Sequence, residues 1–251
     1  MLTRRTQILN IEKEKPNKLE GIEMINPIAD MSQRKAARIA GLLYLIFFIA
    51  SFFTDHFASF ALGDTTAIVN KIIANEWLFS TGLIGNLLSA LFFLLAAWAL
   101  YVLLKPVHRN LALLFLLLNL VGVAIQCLSV LNLFAALPLL SGAEYLRVFQ
   151  EDQLKAQAMF FVDLYENGFI IAQLFYGTWL LPLGYLVYKS GFLPKLLGIL
   201  LIIDFFAILI WFFQFFLLPG YEVISYPGLA VSFIAEFSLC GWLLVKGAKN
   251  P

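Results

Sequence analysis

The chain's 251 residues are 61% hydrophobic and only 13% charged, with 25 Phe and a formal net charge of +1; mean hydropathy is +0.87. A soluble domain carries about 25% charged residues, so polar groups cannot cover this surface and the solvent must be lipid. A net charge so near zero supplies no basic face for nucleic acid.

Residues 1–35 are polar, mixed in charge and without apolar periodicity, as in Glu12-Lys13-Glu14-Lys15-Pro16-Asn17-Lys18. They read as a disordered tail, with Met24 and Met31 as alternative starts. Residues 36–248 read as one transmembrane domain of six apolar runs, at 39–57, 77–104, 111–140, 158–188, 192–218 and 224–245. A helix needs about 20 apolar residues to cross the hydrocarbon. Five runs exceed that, and the first reaches it by taking Thr54, Asp55 and His56 into its last turn. The second, third and fourth are long enough to tilt or project. A cleavable signal peptide is the rival reading of the first run, but five remaining spans would strand the C-terminus on the wrong side for its charges. Pro182 and Pro227 read as kinks. Gly82, Gly85, Gly177 and Gly184 read as close-packing positions. Cys127 and Cys240 lie within apolar runs and read as small core residues, not as a disulfide.

The short connections at 105–110 and 189–191 predict antiparallel hairpins. On the other side, Gly63-Asp64-Thr65-Thr66 offers an N-cap for an amphipathic helix reaching Ala74, and 143–157 reads as a second. The expected fold is all-α: an integral membrane bundle of six transmembrane helices with short amphipathic helices on the outer side. No internal repeat or inverted symmetry is visible, which disfavours a two-fold transporter.

Charge sets the expected orientation. The side holding the tail, the two short loops and the C-terminus carries fourteen of the 17 Lys and Arg, and only Lys71, Arg147 and Lys155 lie opposite. The excess marks the cytoplasmic side, so both termini are expected there. Trp77, Tyr101, Tyr185, Tyr188, Tyr221 and Trp242 fall near the predicted interfaces as an aromatic belt.

Three stretches are more specific. They are Leu174-Phe175-Tyr176-Gly177-Thr178-Trp179-Leu180-Leu181-Pro182-Leu183-Gly184-Tyr185, continuing to Lys195 and Gly198; Arg38-Ile39-Ala40-Gly41-Leu42-Leu43-Tyr44; and Glu236-Phe237-Ser238-Leu239-Cys240-Gly241-Trp242, continuing to Gly247. Together, over about residues 34–248, the chain resembles the domain of unknown function 4386 family of mostly bacterial multi-pass membrane proteins. The resemblance implies a fold and a membrane location, here a bacterial inner membrane. It carries over no activity and no catalytic set.

Ionisable side chains in hydrocarbon cost a few kcal/mol each on insertion scales. The spans nevertheless keep Asp163, Glu166, Asp204 and Glu236, with no Lys or Arg deep in any span. Counting about 1.5 Å per residue sets Asp204 and Glu236 near the midplane, and Asp163 and Glu166 toward the outer leaflet. On the fourth span Asp163, Glu166, Asn167 and Gln173 fall within roughly a third of the circumference at about 100° per residue, a face expected to point inward. The third span adds Asn119 and Gln126 on one face, with Asn132, and the second adds Asn86. Either the carboxyls keep their protons and bond to the amides, or they face a wet cavity and hold a cation. The plain alternative is that all of them are glue between helices. Tyr165 and Tyr176 read as lipid-facing or core residues. Glu236, deep and within the family-like segment, is the foremost site residue.

Catalytic parts are missing. The two histidines, His56 and His108, lie on opposite sides and cannot jointly hold haem or zinc, so no metal and no cofactor are expected. H-E-x-x-H, G-x-S-x-G, Walker A and EF-hand patterns do not occur, and Asp163 and Asp204 differ too much in depth for an aspartyl dyad. The sequence therefore leans away from an enzyme. It points to a protein binding or moving a small cationic or amphipathic ligand, a lipid or protons; the alternative is a structural or regulatory protein acting through a protein partner. Oligomeric state is left open.

Overall fold

The computed structural model describes residues 33–58 and 65–248; most of the polar tail and the expected Asp64 cap lie outside the described residues. Among these the chain forms seven α-helices: α1 (Gln33–Ala58), α2 (Thr65–Ala74), α3 (Glu76–Leu104), α4 (Arg109–Leu140), α5 (Glu151–Lys189), α6 (Lys195–Leu217) and α7 (Tyr226–Val245). All but α2 are long and apolar enough to cross a membrane. The protein is a multi-pass membrane protein. In hydrocarbon no water satisfies a free N–H or C=O, so helix is what such apolar runs must form.

Side chains set where several helices begin. The Leu78 N–H donates to Asn75 Oδ1 at 3.0 Å and starts α3; the Leu111 N–H donates to His108 Nδ1 at 3.2 Å and starts α4. At α5 the Gln150 N–H donates to Gln153 Oε1 at 3.1 Å, and Glu151 and Asp152 complement the helix dipole in the first turn.

Three details differ from the sequence reading. Gln33, Arg34 and Lys35 form the first turn of α1 instead of ending the tail. Residues 143–157 hold a single 3-10 turn at Glu144–Leu146, and α5 then runs unbroken from Glu151. At 39 residues and about 1.5 Å per residue, α5 far exceeds the ~30 Å hydrocarbon, so it projects. Pro227 starts α7, where its missing N–H costs nothing, while Pro182 does lie inside α5.

The six long helices close a ring in which sequence neighbours touch and α1 returns to α7. Gly41 lies against Leu244, and Gly247 against Arg34, so the ends of α1 and α7 meet at one end of the bundle, here the terminal end. At the opposite, distal end α2 buries Ile68, Val69 and Ile72 among Phe79 and Leu83 of α3, Val130 and Leu133 of α4, and Val162 and Tyr165 of α5. Thus α2 covers one sector of the ring, the one formed by α3, α4 and α5.

Candidate functional site

At mid-depth the inner faces of the ring line a cavity of about 180 Å³. Every spanning helix contributes to its wall, including Ser51 and Thr54 of α1, Asn86 of α3, Gln126 of α4, Tyr176 of α5 and Glu236 of α7. Among the described residues the wall holds one carboxyl and no Lys or Arg. Phe47, Phe93 and Phe169 supply aromatic surface between the polar groups.

Two bonded sets build this wall. In the first, the Tyr44 hydroxyl of α1 donates to Glu236 Oε2 at 2.7 Å, closing the ring between its first and last helices. Glu236 is half-buried and lines the cavity. One turn back on α7, Ser232 donates to Asp204 Oδ1 of α6, and the two carboxyls lie within electrostatic reach of each other. Asp204 itself is 0% exposed, and its Oδ2 finds no hydrogen-bond partner among the described residues. In the second set, Gln126 Nε2 donates to Asn86 Oδ1 at 2.9 Å and the Tyr176 hydroxyl donates to Gln126 Oε1 at 2.7 Å. Tyr176 passes over Gly122, where a Cβ would lie 2.6 Å from the ring. A glycine there is what lets α5 reach the Gln126 amide.

The expected cluster divides. Glu236, Gln126 and Gln173 share the central cavity, with Asp204 bonded directly behind it. Glu166 and Asn167 lie apart, in a distal cleft of about 630 Å³ that also takes Gln214, Glu222 and Tyr226. The face of α5 expected to point inward is only partly buried. Glu166 is 7% exposed, but Asp163 and Asn167 are exposed, and Asn167 Nδ2 donates to the Asp163 carbonyl at 2.8 Å. The face that packs inward at that depth is centred on Val162 and Tyr165, which turns Asp163 and Asn167 outward. Asn119 also stands apart from the cavity. It is 0% exposed toward the terminal end, and neither amide atom finds a partner among the described residues.

Sequence reasoning missed Tyr44, Ser232 and the polar role of Tyr176. One signal was available: a tyrosine hydroxyl at the centre of a span must find a partner. Gly85, Gly177 and Gly184 do sit at close approaches, against Thr54, Ile208 and the Gly198 carbonyl respectively. Cys127 and Cys240 are both free thiols.

The family described as Domain of unknown function (DUF4386) matches residues 39–247. An uncharacterized protein of Archaeoglobus fulgidus is 29% identical over 175 residues, covering 66% of this chain and 84% of that relative. No solved structure matches the chain.

Proposed function

The chain belongs to the Domain of unknown function (DUF4386) family, whose name assigns no activity, and from the cavity itself we propose that the protein binds a small cation, with Glu236 as counter-charge. One observation carries the reading: a carboxyl lines a cavity at mid-depth of the bundle, and among the described residues the wall holds no cationic side chain. A charge held in such a place is a functional position by default. The volume of about 180 Å³ falls below the roughly 300–1,000 Å³ of drug-sized pockets. It suits a ligand the size of a small organic ammonium or a few waters carrying a proton. Aromatic faces beside the carboxyl favour the ammonium, because a cation gains from ring quadrupoles where water is scarce.

We also infer that the terminal end faces the cytoplasm of a cell membrane, a reading supported by the Lys and Arg excess on that side. A second reading has its own support. Tyr44–Glu236, Ser232–Asp204 and Asn86–Gln126–Tyr176 each tie two or three helices together, as interhelical glue in a structural or regulatory protein would.

Titrating tetramethylammonium into the detergent-solubilised protein, with the thermal midpoint as readout, separates the two. Gln at 236 can still accept from Tyr44, so Glu236→Gln keeps the fold. It should weaken tetramethylammonium binding by roughly tenfold or more, since truncating one partner of a buried charge pair costs ~2 kcal/mol or more. Unchanged binding in Glu236→Gln would sink the cation reading.

A further inference from the structure

We propose that the central cavity is a dead-end site, filled from the distal end through a passage between α5, α6 and α7 whose constriction is formed by Trp211 and Leu229. What passes rests on the cation reading above; the passage itself is argued from the cavities.

Three cavities adjoin in series. The distal cleft of about 630 Å³ has Trp211 and Leu229 in its wall. The same two side chains line a narrower cavity of about 140 Å³, whose inner wall is Gln173, Ser232 and Glu236. Gln173 and Glu236 then reappear in the wall of the central cavity. Successive shared walls make one route, wide at the distal mouth and narrow at Trp211. Polar groups line it throughout: Glu166, Asn167 and Glu222 at the mouth, Ser232, Gln173 and Glu236 midway, and Glu236 again with Asn86 and Gln126 at the end. Among the described residues, neither the mouth nor the middle has a Lys or Arg in its wall. The field along the route therefore draws cations inward and turns anions away.

Toward the terminal end the packing is tight. Tyr44, Trp179 and Phe115 are completely buried. Phe93 stacks with Tyr44 at 5.8 Å and meets Trp179 edge-on at 5.1 Å, which lays a floor of rings beneath the cavity. Below it the α5 and α6 backbones touch, since a Cβ on Gly198 would lie 2.6 Å from the Gly184 carbonyl. The α1 and α7 backbones do the same at Gly41 and Leu244. The sector beside the passage is closed at its distal end by α2 and its apolar cluster. Among the described residues, the side formed by α5, α6 and α7 is where further cavities lead from the central one to the distal end.

The test is cysteine accessibility in the full chain carrying Cys127→Ser and Cys240→Ala. The chain is reconstituted in vesicles of known orientation and exposed to the impermeant cationic reagent trimethylammonium-ethyl methanethiosulfonate. Leu229→Cys and Ser232→Cys should react several-fold faster from the distal face than from the terminal face. Adding Trp211→Ala should speed reaction at Ser232→Cys several-fold. If Ser232→Cys reacts equally from both faces, or from neither while Leu229→Cys reacts, the passage is overturned. Should Ser232→Cys fail to fold for want of the Asp204 bond, Gln173→Cys reads the same depth. Tetramethylammonium protection at Ser232→Cys tests the other reading separately: one-sided labelling without protection leaves the passage standing and removes the cation.

Discussion

The two halves of this bundle, taken along the helix axes, solve opposite problems. In the terminal half, backbones approach closely at Gly184 and Gly198, and at Gly41 and Leu244, over completely buried Trp179, Leu183 and Leu243. In the distal half the α5, α6 and α7 sector holds a cleft and two cavities carrying Glu166, Gln173 and Glu236 in their walls. Lipid tails are as apolar as leucine, so helices in a membrane associate through close packing and interhelical hydrogen bonds, with little hydrophobic drive. A bundle that must hold a polar cavity can therefore keep its close packing at one end and its openness at the other. The difference teaches that, within the α5, α6 and α7 sector, close backbone packing and site are segregated by depth, and mutations can break that claim.

The largest effect belongs to the close-packed end. A Cβ at Gly198 would lie 2.6 Å from the Gly184 carbonyl and 2.6 Å from the Tyr188 nitrogen, both backbone atoms. Neither can rotate aside, so Gly198→Ala should cost the ~1–3 kcal/mol typical of overpacking, or more. The thermal midpoint of the solubilised protein checks this. Gly241, where a Cβ would meet nothing within 4 Å, is the control; Gly241→Ala should be neutral or slightly stabilising, since alanine is the better helix former. Equal losses at both positions would abolish the contrast.

Next comes Asn119, the amide that sequence reading assigned to the site. It lies completely buried, away from the cavity, with neither side-chain heteroatom bonded among the described residues. An amide buried in that state is a cost of ~1–3 kcal/mol that an apolar side chain of similar volume removes. Asn119→Leu should therefore raise the thermal midpoint and leave cation binding at Glu236 unchanged. A lowered midpoint, or lost binding, would return Asn119 to the functional set.

Much of this was legible in the residues. Apolar run length fixes the six spans because hydrocarbon thickness fixes helix length, and counting residues along α7 already set Glu236 at mid-depth. The Gly63-Asp64-Thr65-Thr66 stretch announced α2. What could not be read was adjacency. Tyr44 and Glu236 stand 192 positions apart, and no local pattern says that the first and last spans close the ring. Nor could a shared helical face say which way it turns: Asp163, Glu166, Asn167 and Gln173 occupy one arc of α5, yet packing of Val162 and Tyr165 under α2 carries Asp163 and Asn167 outward. The start of α1 was missed because its first turn is polar, and polarity at a helix end resembles a tail.

The smallest effect tests the open half most sharply. Gln126 donates to Asn86 and accepts from Tyr176 at the cavity wall. If the cavity is wet, water replaces a lost partner, and the Tyr176→Phe and Gln126→Leu changes should couple by only the ~0.6 kcal/mol average of interhelical bonds in membranes. If it is dry, Tyr176→Phe leaves the Gln126 carbonyl short of its donor, and the loss approaches the ~1–3 kcal/mol of a buried unsatisfied group. A double-mutant cycle on thermal midpoints gives the number directly. A wall joined to a distal passage predicts the lower value. A coupling well above ~1.7 kcal/mol, the upper end measured in such proteins, would mean the cavity is sealed, and the open half would then be as closed to water as the packed one.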